Sequence, residues 1–299
     1  MRIALHLVSL GSVGVIGCST SSSLPASNRD RAIAAMNAIY VEKDLGAVDT
    51  YFDKSVIRHD PYASADGAAA FKADLAGSLQ ATGWASHRAY EQDDLVVLHD
   101  EYDDVPAAGS TTIGFDLFRF ASGKIAEHWT CRQLDPGTYA SGHTMVDGPT
   151  DLDPAVDTTA SADVVVTPGV GFVPIVIIGG QFQQVGNYVQ PDVTQHDPLI
   201  ADGLQGLGAG FAAPPLDTLR VVDVPESLAE NQFVFTRSRG TLTWDAQKQD
   251  SPNNPTVYCD LFRVDRGKIA EHWDVIQLDP NSTNLDDLGT NAAGHTMWD

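Results

Sequence analysis

The 299-residue chain carries 40 acidic and 18 basic residues, a net charge of −22, with 43% hydrophobic and 8% aromatic residues. That apolar share supports buried cores and excludes a disordered chain. The acidic balance leaves nothing to neutralise phosphates, which excludes nucleic acid as a partner. The acid is mostly Asp, with seven Glu, and there are six Lys, a bias that fits either a saline habitat or compositional drift.

The chain begins with Arg2 and an apolar or small run from Ile3 to Ile16, ending in V-I-G-C (Val15–Cys18) before the polar stretch S-T-S-S-S. This resembles a bacterial lipoprotein signal, with plain secretion and a cytosolic N-terminus as the other readings. It implies a signal at residues 1–18, a lipidated Cys18 as the mature N-terminus, a tether at 19–27, export and attachment to the cell envelope. No later stretch is long and apolar enough to span a bilayer, so the expected membrane contact is the lipid alone. Cys131 and Cys259 are then the remaining cysteines. They do not occupy matching places in the two halves, and without C-x-x-C they make no zinc or redox case.

Two stretches nearly repeat each other. Residues 116–136 read DLFRFASGKIAEHWTCRQLDP and residues 260–280 read DLFRVDRGKIAEHWDVIQLDP, identical at 15 of 21 positions. Upstream, HDP recurs at 59–61 and 196–198, and ADG at 65–67 and 201–203; downstream, GHTM recurs at 142–145 and 294–297. One order in both halves is a tandem duplication. The expected domains span 28–147 and 165–299, joined by a Pro-, Asp- and Thr-rich linker at 148–164.

In the first half, Ser27 and Asp30 form a capping pattern before a helix bearing Ile33, Met36, Ile39 and Tyr40 on one face. Leu45, Val48, Tyr51 and Phe52 predict a second short helix, HDP a loop or short strand, and Phe71, Leu75 and Leu79 a third helix. Strand-like runs follow at 88–91, 95–101 and 111–120, the last opening a hairpin that turns at ASGK into IAEHWTCRQL. The second half repeats this plan. Its opening helix must come from GFVPIVIIGGQF, which holds a Pro and a Gly pair, and its third helix, LQGLGAGF, leans on packing because glycine disfavours helix. Helices first, then antiparallel strands, predict an α+β class: two tandem cone-shaped domains, each with helices on one face of a curved antiparallel sheet and a pocket between the layers.

HDP, then ADG, then D-L-F-R-x-x-x-G-K-I-A-E-H-W-D-V-I-Q resembles the SnoaL-like family of the nuclear-transport-factor-2-like fold, which also hosts ketosteroid isomerase. The closest branch is that of the SnoaL-like aldol-condensation enzymes, with H-N-P, D-G and E-H-W-D-V-I-Q. The resemblance implies a cofactor-free pocket in which a carboxylate moves a proton next to a carbonyl, and an activity of the lyase or isomerase type. It places the acid/base Asp on the last strand after the Trp, at Asp274 or Gln277 in the second half and Thr130 or Gln133 in the first. The Asn of H-N-P is Asp60 and Asp197 here.

Strand residues alternate in facing. Glu271 and Trp273 therefore share one face, and His272 and Asp274 the other. With His196 from the HDP loop, His272 and Asp274 make a candidate proton-transfer set. Trp273, Gln277, Asp197, His59, His128 and Trp129 are candidate contacts for a small apolar carbonyl compound. The structural alternatives are His128 and His272 at a sheet-to-sheet interface, Trp129 and Trp273 as core, HDP as a turn, and Glu127 and Glu271 paired with Arg119 and Arg263 across the hairpin. Each GHTM tail, with His143 or His295, is expected to close over a pocket or over the partner domain. The scattered histidines show no metal-ligating spacing and there is no nucleotide fingerprint, so neither metal nor cofactor is expected. Because the first half has Thr130 where the second has Asp274, a single acid/base site belongs in the second half, and the two domains pair with each other or with a second chain. The other function class is a binding or accessory lipoprotein with the same pockets and no turnover.

Overall fold

The computed structural model describes residues 27–80, 82–103, 105, 107–243, 254–282, 284–285 and 288–298. The signal run and Cys18 lie outside the described residues. Among those described, no helix is long and apolar enough to cross a membrane.

The first repeat runs α1 (Asn28–Tyr40), α2 (Ala47–Tyr51), β1 (Phe52–Arg58), α3 (Ala68–Leu75), β2 (Ala85–Gln92), β3 (Leu95–Asp103), β4 (Thr111–Ala121) and β5 (Lys124–Leu134). Ser27 Oγ accepts from the Asp30 amide at 3.0 Å and caps α1. That helix buries Ala32, Ala35, Met36, Ile39 and Tyr40 against the sheet. The strands lie in the order β1-β5-β4-β3-β2. All neighbours are antiparallel except β1, which runs parallel to β5.

The second repeat has α4 (Thr158–Val165), a wide turn at Val173–Ile178, α5 (Val185–Tyr188), β6 (Val189–Gln195), α6 (Gly203–Phe211), β7 (Arg220–Glu230), β8 (Phe233–Leu242), β9 (Asn254–Asp265) and β10 (Lys268–Leu278). Its sheet order, β6-β10-β9-β8-β7, matches the first, and β6 is parallel to β10. The opening segment departs from the expected helix. Pro174 and the Gly179–Gly180 pair leave one turn, closed by the Gly179 amide on the Pro174 carbonyl at 3.0 Å. The helical role passes upstream to α4, which starts inside the stretch read as linker. Asp157 caps it by accepting from the Thr159 amide at 2.9 Å, and Val165 is fully buried.

The two sheets pack face to face. Tyr90, Phe115 and Trp129 of the first meet Phe233, Phe235 and Trp273 of the second in one buried cluster. Helices cover the outer face of each sheet and close a separate core there. Every central strand is thus buried on both faces, with one face toward the other repeat and one toward a helical cap.

Candidate functional site

Alternation along β5 and β10 decides where each candidate residue goes. On β10, Trp273 and Val275 enter the cluster between the sheets, while His272 and Asp274 point under the helical cap. On β5, Trp129 and Cys131 face the other repeat and His128 faces the cap.

The repeated motifs meet at the inter-sheet face and lock the repeats together reciprocally. His196 stacks on Trp273, with ring centroids 4.6 Å apart. Its Nε2 lies 2.9 Å from Glu271 Oε1 and its Nδ1 lies 2.8 Å from the Thr144 carbonyl, in the GHTM tail of the other repeat. Arg263 Nε donates to Glu271 Oε2 at 2.8 Å. The mirror arrangement has His59 on Trp129 at 4.9 Å, Nε2 at 2.9 Å from Glu127 Oε1, Nδ1 at 3.3 Å from the Thr296 carbonyl, and Arg119 donating to Glu127 at 3.0 Å. Each tail histidine reaches the ADG aspartate of the other repeat, His143 to Asp202 at 3.3 Å and His295 to Asp66 at 2.7 Å. Met145 and Met297 sink into the shared core. Gln277 Oε1 accepts from the Arg132 amide at 2.7 Å, and Gln133 Oε1 from the Ile276 amide at 2.8 Å.

His196 is therefore not assembled with His272 and Asp274. It follows β6 directly, so its side chain leaves the side opposite to Gln195. Gln195 is the one that reaches under the cap, its Oε1 2.9 Å from His272 Nδ1. His59, Trp129 and Trp273 belong to the inter-sheet lock for the same reason, and Gln277 bridges the repeats. Cys131 and Cys259 are free thiols buried in this cluster.

Two cavities lie under the caps. The one in the second repeat is a cavity of about 60 Å³ with mostly apolar walls, including Phe172, Leu207 and Phe262. Its floor holds Gln195, Asp197, Asp260, His272 and Asp274. Burial, followed by the neighbouring Asp197 and Asp260, pushes the Asp274 carboxyl well above the usual range. Burial also pushes Asp197 up to about 6. Asp260, His272 and Asp274 each bring one donor atom within 4.8 Å of the others, the group among the described residues that could close round a cation.

The first repeat has a cavity of about 340 Å³ lined by His128, Arg132, Tyr102, Arg58 and Asp60, with Tyr40, Tyr62 and Phe71 as aromatic wall. Behind this lining sits Asp116, fully buried. Its Oδ1 takes His128 Nε2 at 2.6 Å and its Oδ2 accepts the Tyr102 hydroxyl at 2.5 Å. Arg132 Nη2 is 3.4 Å from Asp116 Oδ1, with its guanidinium 4.4 Å over the Tyr102 ring. Burial opposes the charge on Asp116, but Arg132, His128 and Tyr102 outweigh it and hold the carboxyl below its ordinary value. Sequence reasoning passed over Asp116 because DLFR looked like a fold signature. The hairpin register held the clue: Asp116 pairs with Thr130, so on one face it is diagonal to His128.

Comparison with known proteins fits this architecture. The model of the SnoaL-like domain matches twice, at residues 31–128 and 176–272. The chain belongs to the SnoaL-like domain family. Similar solved structures each cover one of its two SnoaL-like domains. A nuclear-transport-factor-2-like protein of unknown function from Cytophaga hutchinsonii is 17% identical over 38% of this chain and 94% of its own, with a TM-score of 0.32. A SnoaL-like polyketide cyclase from Agrobacterium tumefaciens is 20% identical over 34% and 83%, with a TM-score of 0.27. An epoxide hydrolase of LEH-like type from M. tuberculosis is 15% identical over 36% and 82%, with a TM-score of 0.29. None of the curated proteins matches.

Proposed function

We propose that the chain is an envelope-anchored protein, lipidated at Cys18, whose first SnoaL-like domain binds a small carbonyl compound and moves a proton next to its carbonyl. The observation that carries this reading is the His128–Asp116 contact of 2.6 Å behind a cavity of about 340 Å³. That volume falls in the range of ligand pockets, roughly 300–1,000 Å³.

Asp116 receives the Nε2 proton of His128 and fixes the ring, which leaves Nδ1 as the basic nitrogen. The imidazole takes a proton from the carbon next to the carbonyl. The electron pair moves onto the carbonyl oxygen, and the same imidazole returns the proton to a neighbouring atom. Arg132, whose side chain lines the cavity and is 25% exposed, supplies the charge that steadies the oxygen. Tyr40, Tyr62 and Phe71 give the rest of the ligand an apolar wall, and Asp60 and the Arg58–Asp74 pair give it polar contacts. Lyase or isomerase chemistry follows from this set.

The test is α-proton exchange. A panel of small ketones and aldehydes is incubated in D₂O with the mature protein, and deuterium uptake is read by NMR. Catalysed exchange that falls by a factor of about 10²–10⁴ in His128→Gln supports acid–base catalysis. Binding without exchange assigns the protein to the non-catalytic, ligand-carrying class. Exchange unaffected by His128→Gln refutes the assignment. Anchoring is tested separately, by the mass of the mature N-terminal peptide and by release of a Cys18→Ala variant from membranes.

A further inference from the structure

The cavity of the second SnoaL-like domain has a charge problem. Three carboxyl groups and one imidazole meet on its floor, and among the described residues no lysine or arginine lines it. Asp197 and Asp274 are 1% and 6% exposed. Apart from the proton the two carboxyls share when Asp274 is neutral, Asp197 Oδ2 and Asp274 Oδ1 meet no hydrogen-bond donor among the described residues. Carboxylates buried without a countercharge are costly to keep.

Two carboxylates of the first domain do have such a countercharge. There Asp74 receives Arg58 Nη1 at 2.6 Å, and Asp116 has Arg132 at 3.4 Å. In the second repeat those two arginine positions hold Gln195 and Ile276, and a further carboxylate, Asp274, replaces Thr130. The second domain has thus lost both of these cations and gained Asp274, while Ser238 stands where the first has Asp100.

The local geometry points the same way. Gln195 Oε1 lies 2.9 Å from His272 Nδ1, and Asp260 Oδ1 lies 3.2 Å from its Nε2. Thr236 Oγ1 holds the other oxygen of Asp260 at 3.4 Å. The cavity of about 60 Å³ has room for water, one molecule needing about 10–15 Å³ of such space. It suits an ion with residual water, whereas organic ligands need about 300 Å³ or more.

We propose that Asp260, His272 and Asp274 form a binding site for a divalent transition-metal ion. Gln195 fixes the imidazole, and Asp197 supports Asp274 or adds a fourth oxygen. One nitrogen and two or three carboxylate oxygens favour Zn²⁺ or Mn²⁺ over Mg²⁺ and Ca²⁺. This site is separate from His128 and stands or falls independently of the proton-transfer reading.

The experiment is calorimetric titration of the chelator-treated mature protein with ZnCl₂ and MnCl₂, with bound metal counted by mass spectrometry. Co²⁺ absorption serves as the direct probe of an imidazole ligand. The expected result is one ion per chain, a raised melting temperature, and affinity at least tenfold weaker in both His272→Gln and Asp274→Asn. His128→Gln should bind metal like the wild type. Circular dichroism checks that each variant folds, and Asp260→Asn replaces one that does not. Absence of binding at millimolar metal overturns the proposal, as does binding that survives in the floor variants, which would place the ion on the acidic surface.

Discussion

Replacing His196 with alanine tests the reciprocal lock where it is tightest. The change removes a 2.9 Å contact to Glu271, contacts of 2.8 Å to the Thr144 carbonyl and 2.7 Å to Asp147 Oδ1, and the stack on Trp273. A hydrogen bond to a charged partner is worth about 1.5–3 kcal/mol. An aromatic pair adds about 0.5–1.5 kcal/mol. Glu271, with its side chain 6% exposed, would keep Arg263 as its ion-pair partner. Allowing for water entering the vacated space, the loss should be about 2–4 kcal/mol. The mirror variant His59→Ala should cost less, about 1–2 kcal/mol. Glu127 is 20% exposed and the tail contact is longer, at 3.3 Å. Urea unfolding followed by tryptophan fluorescence measures both, because Trp129 and Trp273 sit in the two locks. Changes below about 0.5 kcal/mol in both variants, or a larger loss at His59, would refute the view that the repeated motifs hold the domains together.

Gly148→Ala should destabilise by more than about 1–2 kcal/mol. Its φ is +96°, and an added Cβ would sit 2.7 Å from Glu271 Oε1 and 2.9 Å from the Trp273 ring, which thermal melting can read. Asp116 gives a pH prediction. Its folded carboxyl is held below the ordinary value, so its contribution is complete above about pH 3.9, the unfolded value. That contribution is lost as pH falls through the folded value. Asp116→Asn should therefore flatten the acid limb of stability against pH, and an unchanged slope would contradict the assignment. Cys131 and Cys259 should resist alkylation in the native protein and react together on unfolding, as mass spectrometry would show, because both thiols are buried.

The fold was legible because it depends on patterns that are local and written twice. Strand alternation, the ASGK and DRGK turns and the spacing of Ile33, Met36 and Ile39 are each carried by neighbouring residues. The ion pairs of Glu127 and Glu271 across their hairpins, expected from cross-strand geometry, are in place at 3.0 and 2.8 Å. The direction taken by the HDP histidines was not legible. It depends on β1 and β6 being parallel edge strands, and a parallel pairing joins segments distant in sequence. The helix α4 escaped because its stretch, Thr158–Val165, follows a Pro- and Asp-rich segment and presents a short apolar face. The crossing of the GHTM tails could be expected as docking, but which repeat each tail covers is a long-range fact that no local spacing encodes.

The residues of the lock between the sheets are shared by the repeats, whereas several residues of the cavity floors differ. Identical in both are the histidine of HDP, the Glu and Trp of EHW, and the tail GHTM, all at the lock between the sheets. A two-fold-like interface uses each such residue twice, once in each role, so a change in one copy must fit a partner surface that has not changed. The cavity floors have no such constraint, since each faces its own helices. There the pairs Arg58 and Gln195, Thr130 and Asp274, and Arg132 and Ile276 have parted. The repeated strings therefore supply the lock on one face and, through Asp116 with His128 and Asp260 with His272, a shared carboxylate–imidazole pair on the other. What distinguishes the domains is the residue beside each string: arginines that complete a polar, ligand-sized cavity in one, and Asp274 in a smaller cavity without them in the other.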